Sequence, residues 1–203
     1  MRDDSVIINW HYHGKTDYSV GAGATRAEYL LGWGAAALGF LFYSYLYLLQ
    51  ALPWAFWQYL LAAFLGFDVA GGLVCNSLNS CKRFYLTPAQ PSDSRFSQLI
   101  KNPLIFAALH IHSLLIGLLY NTPNWRFGLG WYLALIGSTV LVLKSPLYLR
   151  RPMAMLCILA AILVNASLLV PVQGFAWMMP ALFIKIVYGH VVREEPYRPS
   201  IEQ

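Results

Sequence analysis

Six apolar stretches, at about 28–52, 54–76, 103–120, 127–143, 152–170 and 174–192, set the terms on which this chain can fold. Each holds roughly 17–25 residues, enough at 1.5 Å per residue to cross a hydrocarbon core of about 30 Å. Lys and Arg alternate in the segments between them. Three basic residues precede the first stretch, none separates it from the second, and four (Lys82, Arg83, Arg95, Lys101) lie before the third. One (Arg126) follows the third, three (Lys144, Arg150, Arg151) follow the fourth, none follows the fifth and two (Arg193, Arg198) follow the sixth. Cytoplasmic loops retain such an excess and translocated loops do not. The series predicts an all-α bundle of six transmembrane helices with both termini cytoplasmic, and five or seven helices would break the alternation.

On this reading residues 1–27 form a cytoplasmic N-terminal segment, 28–193 the transmembrane domain with a long cytoplasmic loop at about 77–102, and 194–203 a cytoplasmic tail. Residues 1–27 carry Arg2, Asp3, Asp4, Lys15, Asp17 and Arg26 and hold no apolar core of the signal-peptide kind, so the first helix is expected to be a retained anchor. Hydrophobic residues make up 58% of the chain and charged residues 11%, too few to cover a water-facing surface. The expected setting is a cell membrane, with lipids as neighbours. The net charge of +5 does not point to nucleic acid, because the basic residues sit in short loops without an aromatic-interleaved basic face.

Trp54, Trp57, Trp125, Trp131 and Trp177 stand near span ends, where an interfacial belt is expected, and Tyr43, Tyr45 and Tyr47 read the same way. Two small-residue stripes, Gly32 with Ala36 and Gly130 with Ala134 and Ser138, predict faces packed on other helices.

Ionisable residues within apolar spans are costly and mark candidate sites. Asp68 lies eight residues before Asn76, His110 seven past Pro103, and Lys185 seven before Val192. With alternating helix directions, all three fall roughly 10–12 Å beneath the cytoplasmic surface. Each shares a helical face with small or polar neighbours: Gly71 and Gly72 for Asp68, Ala107 and Ser113 for His110, Ala181 and Gly189 for Lys185. His112 lies about 200° around a continuous helix from His110, so only one of the two is expected in the site, and His110 is the one expected there.

The expected centre has Asp68 as acid/base, His110 as proton carrier and Lys185 as the holder of an anionic head group. Asn76, Lys82 and Arg83 are the expected substrate contacts, the last two through lipid phosphates. Asp68, His110 and His190 are the candidate ligands if a divalent metal is the cofactor. Simpler roles compete: an Asp68–Lys185 structural ion pair, a snorkelling Lys185, a packing His110, and an exposed His190–Glu194 pair. HExxH, Gly-Xaa-Ser-Xaa-Gly and histidine-cluster motifs are absent from the sequence. Three functions remain open: an enzyme on a lipid-like or amphipathic small molecule, a proton-coupled transporter or channel, and a non-catalytic subunit or assembly factor of a membrane complex. Polar residues concentrate toward the cytoplasmic side, which favours the enzyme.

Overall fold

A computed structural model describes residues 6–12, 17–91, 93–120 and 124–199. The N-terminal segment therefore falls partly outside the described residues, as does most of the 121–124 connection.

Helix α1, Arg26–Leu48, starts at a capping box in which Thr25 accepts from the Glu28 amide and Glu28 accepts from the Thr25 amide. It pairs along its length with α2, Phe56–Cys75. The seam is made of small residues. A methyl group added at Gly39 would lie 2.2 Å from the Gly66 carbonyl oxygen, and one at Gly71 would lie 2.7 Å from the Ala36 side chain. Backbones this close need glycine, as the Gly32–Ala36 stripe predicts.

Short helices α3, Asn79–Leu86, and α4, Arg95–Ile100, follow at one end of the bundle. The third apolar run is in two pieces, α5, Pro103–Leu109, and α6, His112–Leu119, because His110 leaves the helical region at φ −85°, ψ 69°. Helix α7, Trp125–Lys144, is continuous, and α8, Arg150–Ser167, enters through a 3₁₀ turn at Leu147–Leu149. The last run is also interrupted: α9, Met178–Phe183, passes into a π-helical segment, Ile184–His190.

Four helices are long and apolar enough to cross a membrane: α1, α2, α7 and Leu147–Ser167. They mark the chain as a membrane protein. The third and sixth apolar runs, expected as plain spans, instead carry a break and a π-helical segment, and both irregularities fall beside ionisable residues.

The loops joining the helices gather at two ends. Trp54 from the α1–α2 loop, Tyr120 from the end of α6 and Phe175 from the α8–α9 loop meet with ring centroids 4.6–5.3 Å apart. Tyr43 packs on Trp54 and Phe175 and donates to the Gly174 carbonyl at 3.0 Å. At the opposite end lie α3, α4 and a two-stranded antiparallel ribbon in which β1, Val6–Ile8, pairs with β2, Tyr197–Pro199. The belt expectation is corrected here: Tyr43, Trp54 and Trp131 are core residues, while Trp57 and Trp125 stay exposed. The meeting of three loop ends buries Tyr43 and Trp54, and Trp131 is buried against Phe127 and Phe183.

The second small-residue stripe is also corrected. Gly130, Ala134 and Ser138 line an open groove of about 800 Å³ between α7 and α8 rather than a helix contact, and a methyl group at Gly130 would meet nothing within 4 Å. Spacing of four permits close approach but does not supply the partner.

Candidate functional site

Asp68 on α2, His112 on α6 and Lys185 in the π-helical segment converge on one carboxylate oxygen. The Lys185 amine donates to Asp68 Oδ2 and, at 3.1 Å, to the Asp68 main-chain oxygen. His112 Nε2 lies 2.8 Å from the same Oδ2. An ionised carboxylate only accepts, so Nε2 carries the proton. Lys185 is 2% exposed, whereas the Asp68 side chain is 39% exposed. No partner engages Oδ1 among the described residues.

The backbone explains how an amine reaches this depth. A methyl group at Gly72 would lie 2.3 Å from Lys185 Cε, so a larger residue there would displace the lysine stem from this position. The π segment spaces its hydrogen bonds one residue wider than an α-helix and so disturbs its carbonyl pairing. Asn76 meets this by donating from Nδ2 to the Lys185 carbonyl at 3.0 Å.

His110 Nδ1 stands 2.7 Å from the Phe106 carbonyl oxygen. A carbonyl only accepts, so the proton sits on Nδ1 and, in the neutral ring, Nε2 carries the lone pair. The His110 and His112 rings stack with centroids 5.4 Å apart and planes at 14°. The expectation that one histidine would turn away is therefore overturned. A continuous helix would separate them by about 200°, and the break at His110 removes that rotation.

Asp68, Asn76, His110 and Lys185 line one cavity of about 280 Å³ with Gly71, Gly72 and Cys75 at its base. Tyr18 from the N-terminal segment and Phe96 from α4 wall it on the side of the terminal ribbon, while Trp33, Phe67 and Leu109 form its apolar flank. The cluster expected from depth and helical face is thus assembled, with His112 as a member that sequence reasoning set aside.

Lys82 and Arg83 are elsewhere. Lys82 is 2% exposed and donates to the Gly189 and Val192 carbonyls at 2.5 and 2.9 Å. Arg83 is buried and donates to the carbonyls of Tyr197 at 3.2 Å and Gly23 at 3.1 Å. Lys82 fastens the end of the π-helical run to α3 and Arg83 fastens the tail and the N-terminal segment to it, which corrects their reading as phosphate contacts. His190 is buried and stacks on Phe106 at 3.6 Å, and Glu194 accepts from the Tyr188 hydroxyl at 2.7 Å, so the two do not form an exposed pair. Among the described residues no three His, Cys, Asp or Glu side chains are grouped to hold a metal ion, so the set Asp68, His110 and His190 is not assembled as one.

Burial pushes the Lys82 amine down to about 8, against an opposing pull from Glu194. For a base, a folded value below the unfolded one means that the unfolded chain holds more protons between pH 8 and 10.5. Stability therefore rises with pH across that window, by about 3 kcal/mol at most, and is flat below it. Thermal melts of detergent-solubilised protein at pH 7.5 and 9.5 should show the rise, and Lys82→Met should remove it. A rise of equal size in the variant would assign the effect to another group.

No protein-family model, curated protein or solved structure matches this chain.

Proposed function

We propose that the chain crosses the membrane six times with both termini cytoplasmic, and that the Asp68 cavity is the acid–base centre of an enzyme acting on a lipid-like substrate. Three features support the topology. The Lys/Arg alternation requires an even number of crossings, the β1–β2 pairing holds both ends of the chain together, and the three loops poor in basic residues meet at the opposite end. The broken third run and the π-containing sixth run then span by packing inside the bundle, where neighbouring groups satisfy their backbones.

The observation that carries the enzymatic reading is the pairing of a tautomer-fixed His110 with a half-exposed, charge-paired Asp68 on one cavity wall. His110 Nε2 is the general base: its lone pair accepts a proton from the substrate while Nδ1–H holds the ring against Phe106. Lys185 and His112 hold the Asp68 carboxylate in place, and it steadies positive charge as His110 becomes imidazolium. The closed aromatic end around Tyr43, Trp54, Tyr120 and Phe175 disfavours a carrier, because a through-path would have to open that packing.

The test is turnover of a membrane lipid extract by purified protein in nanodiscs, followed by mass spectrometry. His110→Ala should lower conversion by about 10²-fold or more with the melting temperature held near that of the parent. Unchanged conversion in His110→Ala would reject the acid–base reading. Solute flux into proteoliposomes without any chemical conversion would replace it by a carrier.

A further inference from the structure

Two strong acceptors in the cavity have no partner among the described residues. Lys185 and His112 both bind Asp68 Oδ2, which leaves Oδ1 without a partner among the described residues on a side chain that is 39% exposed. His110 Nδ1 is tied to the Phe106 carbonyl, leaving the Nε2 lone pair. The Asn76 amide nitrogen donates to the Lys185 carbonyl, and the Lys185 amine is turned to two Asp68 oxygens. Lys185 and Asn76 are already engaged with the protein, whereas Asp68 Oδ1 and the His110 Nε2 lone pair have no partner among the described residues. A ligand seated here satisfies them only by bringing its own protons.

The route in is apolar. The cavity's flank runs over Trp33, Phe67 and Leu109, with Trp33 51% and Leu109 57% exposed on the outer face of the bundle. Helix α1 is paired with α2, while α5 packs chiefly on α4 and α7. Leu109 at the end of α5 and Trp33 on α1 thus form two lips of a side opening. Tyr18 and Phe96 stand in edge contact at 5.3 Å and wall the cavity toward the terminal ribbon.

We infer that the substrate is an amphipath whose polar end is a hydrogen-bond donor, a hydroxyl or an amine on an apolar chain, and that it enters sideways past Trp33 and Leu109. The inference rests on the proposed function and narrows it. The anionic head group expected from Lys185 is replaced, because Asp68 already holds that amine and would repel a second carboxylate. A hydroxyl or ammonium proton lies against Asp68 Oδ1 and His110 Nε2, the group proposed to take it. The chain rests along Trp33, Phe67 and Leu109, where transfer from lipid costs little.

The test uses full-length protein in phosphatidylcholine nanodiscs and three brominated probes of equal chain length: dodecylamine, dodecanol and dodecanoate. Bromine quenches nearby tryptophan, and the Trp33 signal is the difference between the parent protein and Trp33→Phe. The amine or the alcohol should quench Trp33 saturably, and the acid should give only the linear, bilayer-borne quenching. Asp68→Asn keeps the side chain's size and should weaken the amine by about tenfold, more than the alcohol. Whichever of the two binds more tightly identifies the head. Leu109→Trp, which crowds the opening without touching the polar atoms, should slow the approach to saturation. Saturable quenching by dodecanoate that equals the amine's overturns the inference, as does quenching by the amine and the alcohol that Asp68→Asn leaves unchanged. Either result leaves the acid–base reading standing if His110→Ala still abolishes lipid conversion. That reading falls if conversion survives the variant, or if the parent protein moves solute without converting lipid.

Discussion

Asp68→Ala should be far less stable than the double variant Asp68→Ala/Lys185→Met. Removing the carboxylate alone strands an amine that is 2% exposed, with only the main-chain oxygen of residue 68 left to it. Breaking a buried pair by one partner costs about 3–5 kcal/mol, whereas replacing both ends by apolar groups is often close to neutral. The reverse single variant, Lys185→Met, should cost less, about 1–3 kcal/mol, because Asp68 is 39% exposed to the cavity and keeps His112 at 2.8 Å. The order expected in detergent unfolding titrations is parent and double variant highest, Lys185→Met between, Asp68→Ala lowest. Lipid conversion should be absent from both variants that lack Asp68, so stability and activity separate in the double variant. Equal stability of Asp68→Ala and the double variant would mean that the Lys185 amine finds water, and the buried cluster would have to be redrawn.

That Asp68, His110 and Lys185 share one level and one cavity was legible in the sequence, and the azimuth of His112 was not. Depth needs only a residue count from a span end, so Asp68, His110 and Lys185 were placed in one layer without knowing how the helices turn. Azimuth assumes an unbroken α-helix. The chain departs from that at His110, which carries no proline or glycine to announce a break, and again at Ile184–His190, where the hydrogen bonds lengthen by one residue. His112 was lost to the first departure. Its signal was the His-Xaa-His spacing itself, which places both rings together only when the helix is interrupted. Lys82 and Arg83 show a different limit. Their positive charge satisfies the topology rule whether they face water or protein. Arg83 is buried by the tail and the N-terminal segment folding back over α3, and Lys82 by the run from Gly189 to Val192, contacts separated by 60 to 114 positions in sequence. The aromatic residues at the far end fail for the same reason: belt and core have one composition, and only the meeting of three loops distinguishes them.

Gly39→Leu should abolish the folded protein, while Gly34→Ala, five residues earlier on α1, should leave it intact or slightly more stable. The two glycines lie on opposite sides of the same helix. At Gly39 the first carbon of any side chain would fall 2.2 Å from the Gly66 carbonyl oxygen and 2.8 Å from Ala70 Cβ, and at Gly34 it would meet nothing within 4 Å. Backbone cannot yield as the end of a flexible side chain does, so α1 must move off α2. Even Gly39→Ala forces a separation of about 1 Å and should cost roughly 1–3 kcal/mol. Gly34→Ala gains up to about 1 kcal/mol from helix propensity alone. The loss at Gly39 reaches the site because the seam and the cavity share a wall. Ala36 contacts the Gly71 position and both line the cavity, one turn from Asp68. A parted seam therefore pulls Asp68 away from Lys185 and widens the opening beside Trp33. In Gly39→Ala, size-exclusion profile and melting temperature report the packing, and Trp33 quenching by soluble acrylamide reports the opening. Packing that weakens together with easier quenching is expected. A lowered melting temperature with unchanged quenching would mean that the α1–α2 seam carries stability without shaping the site.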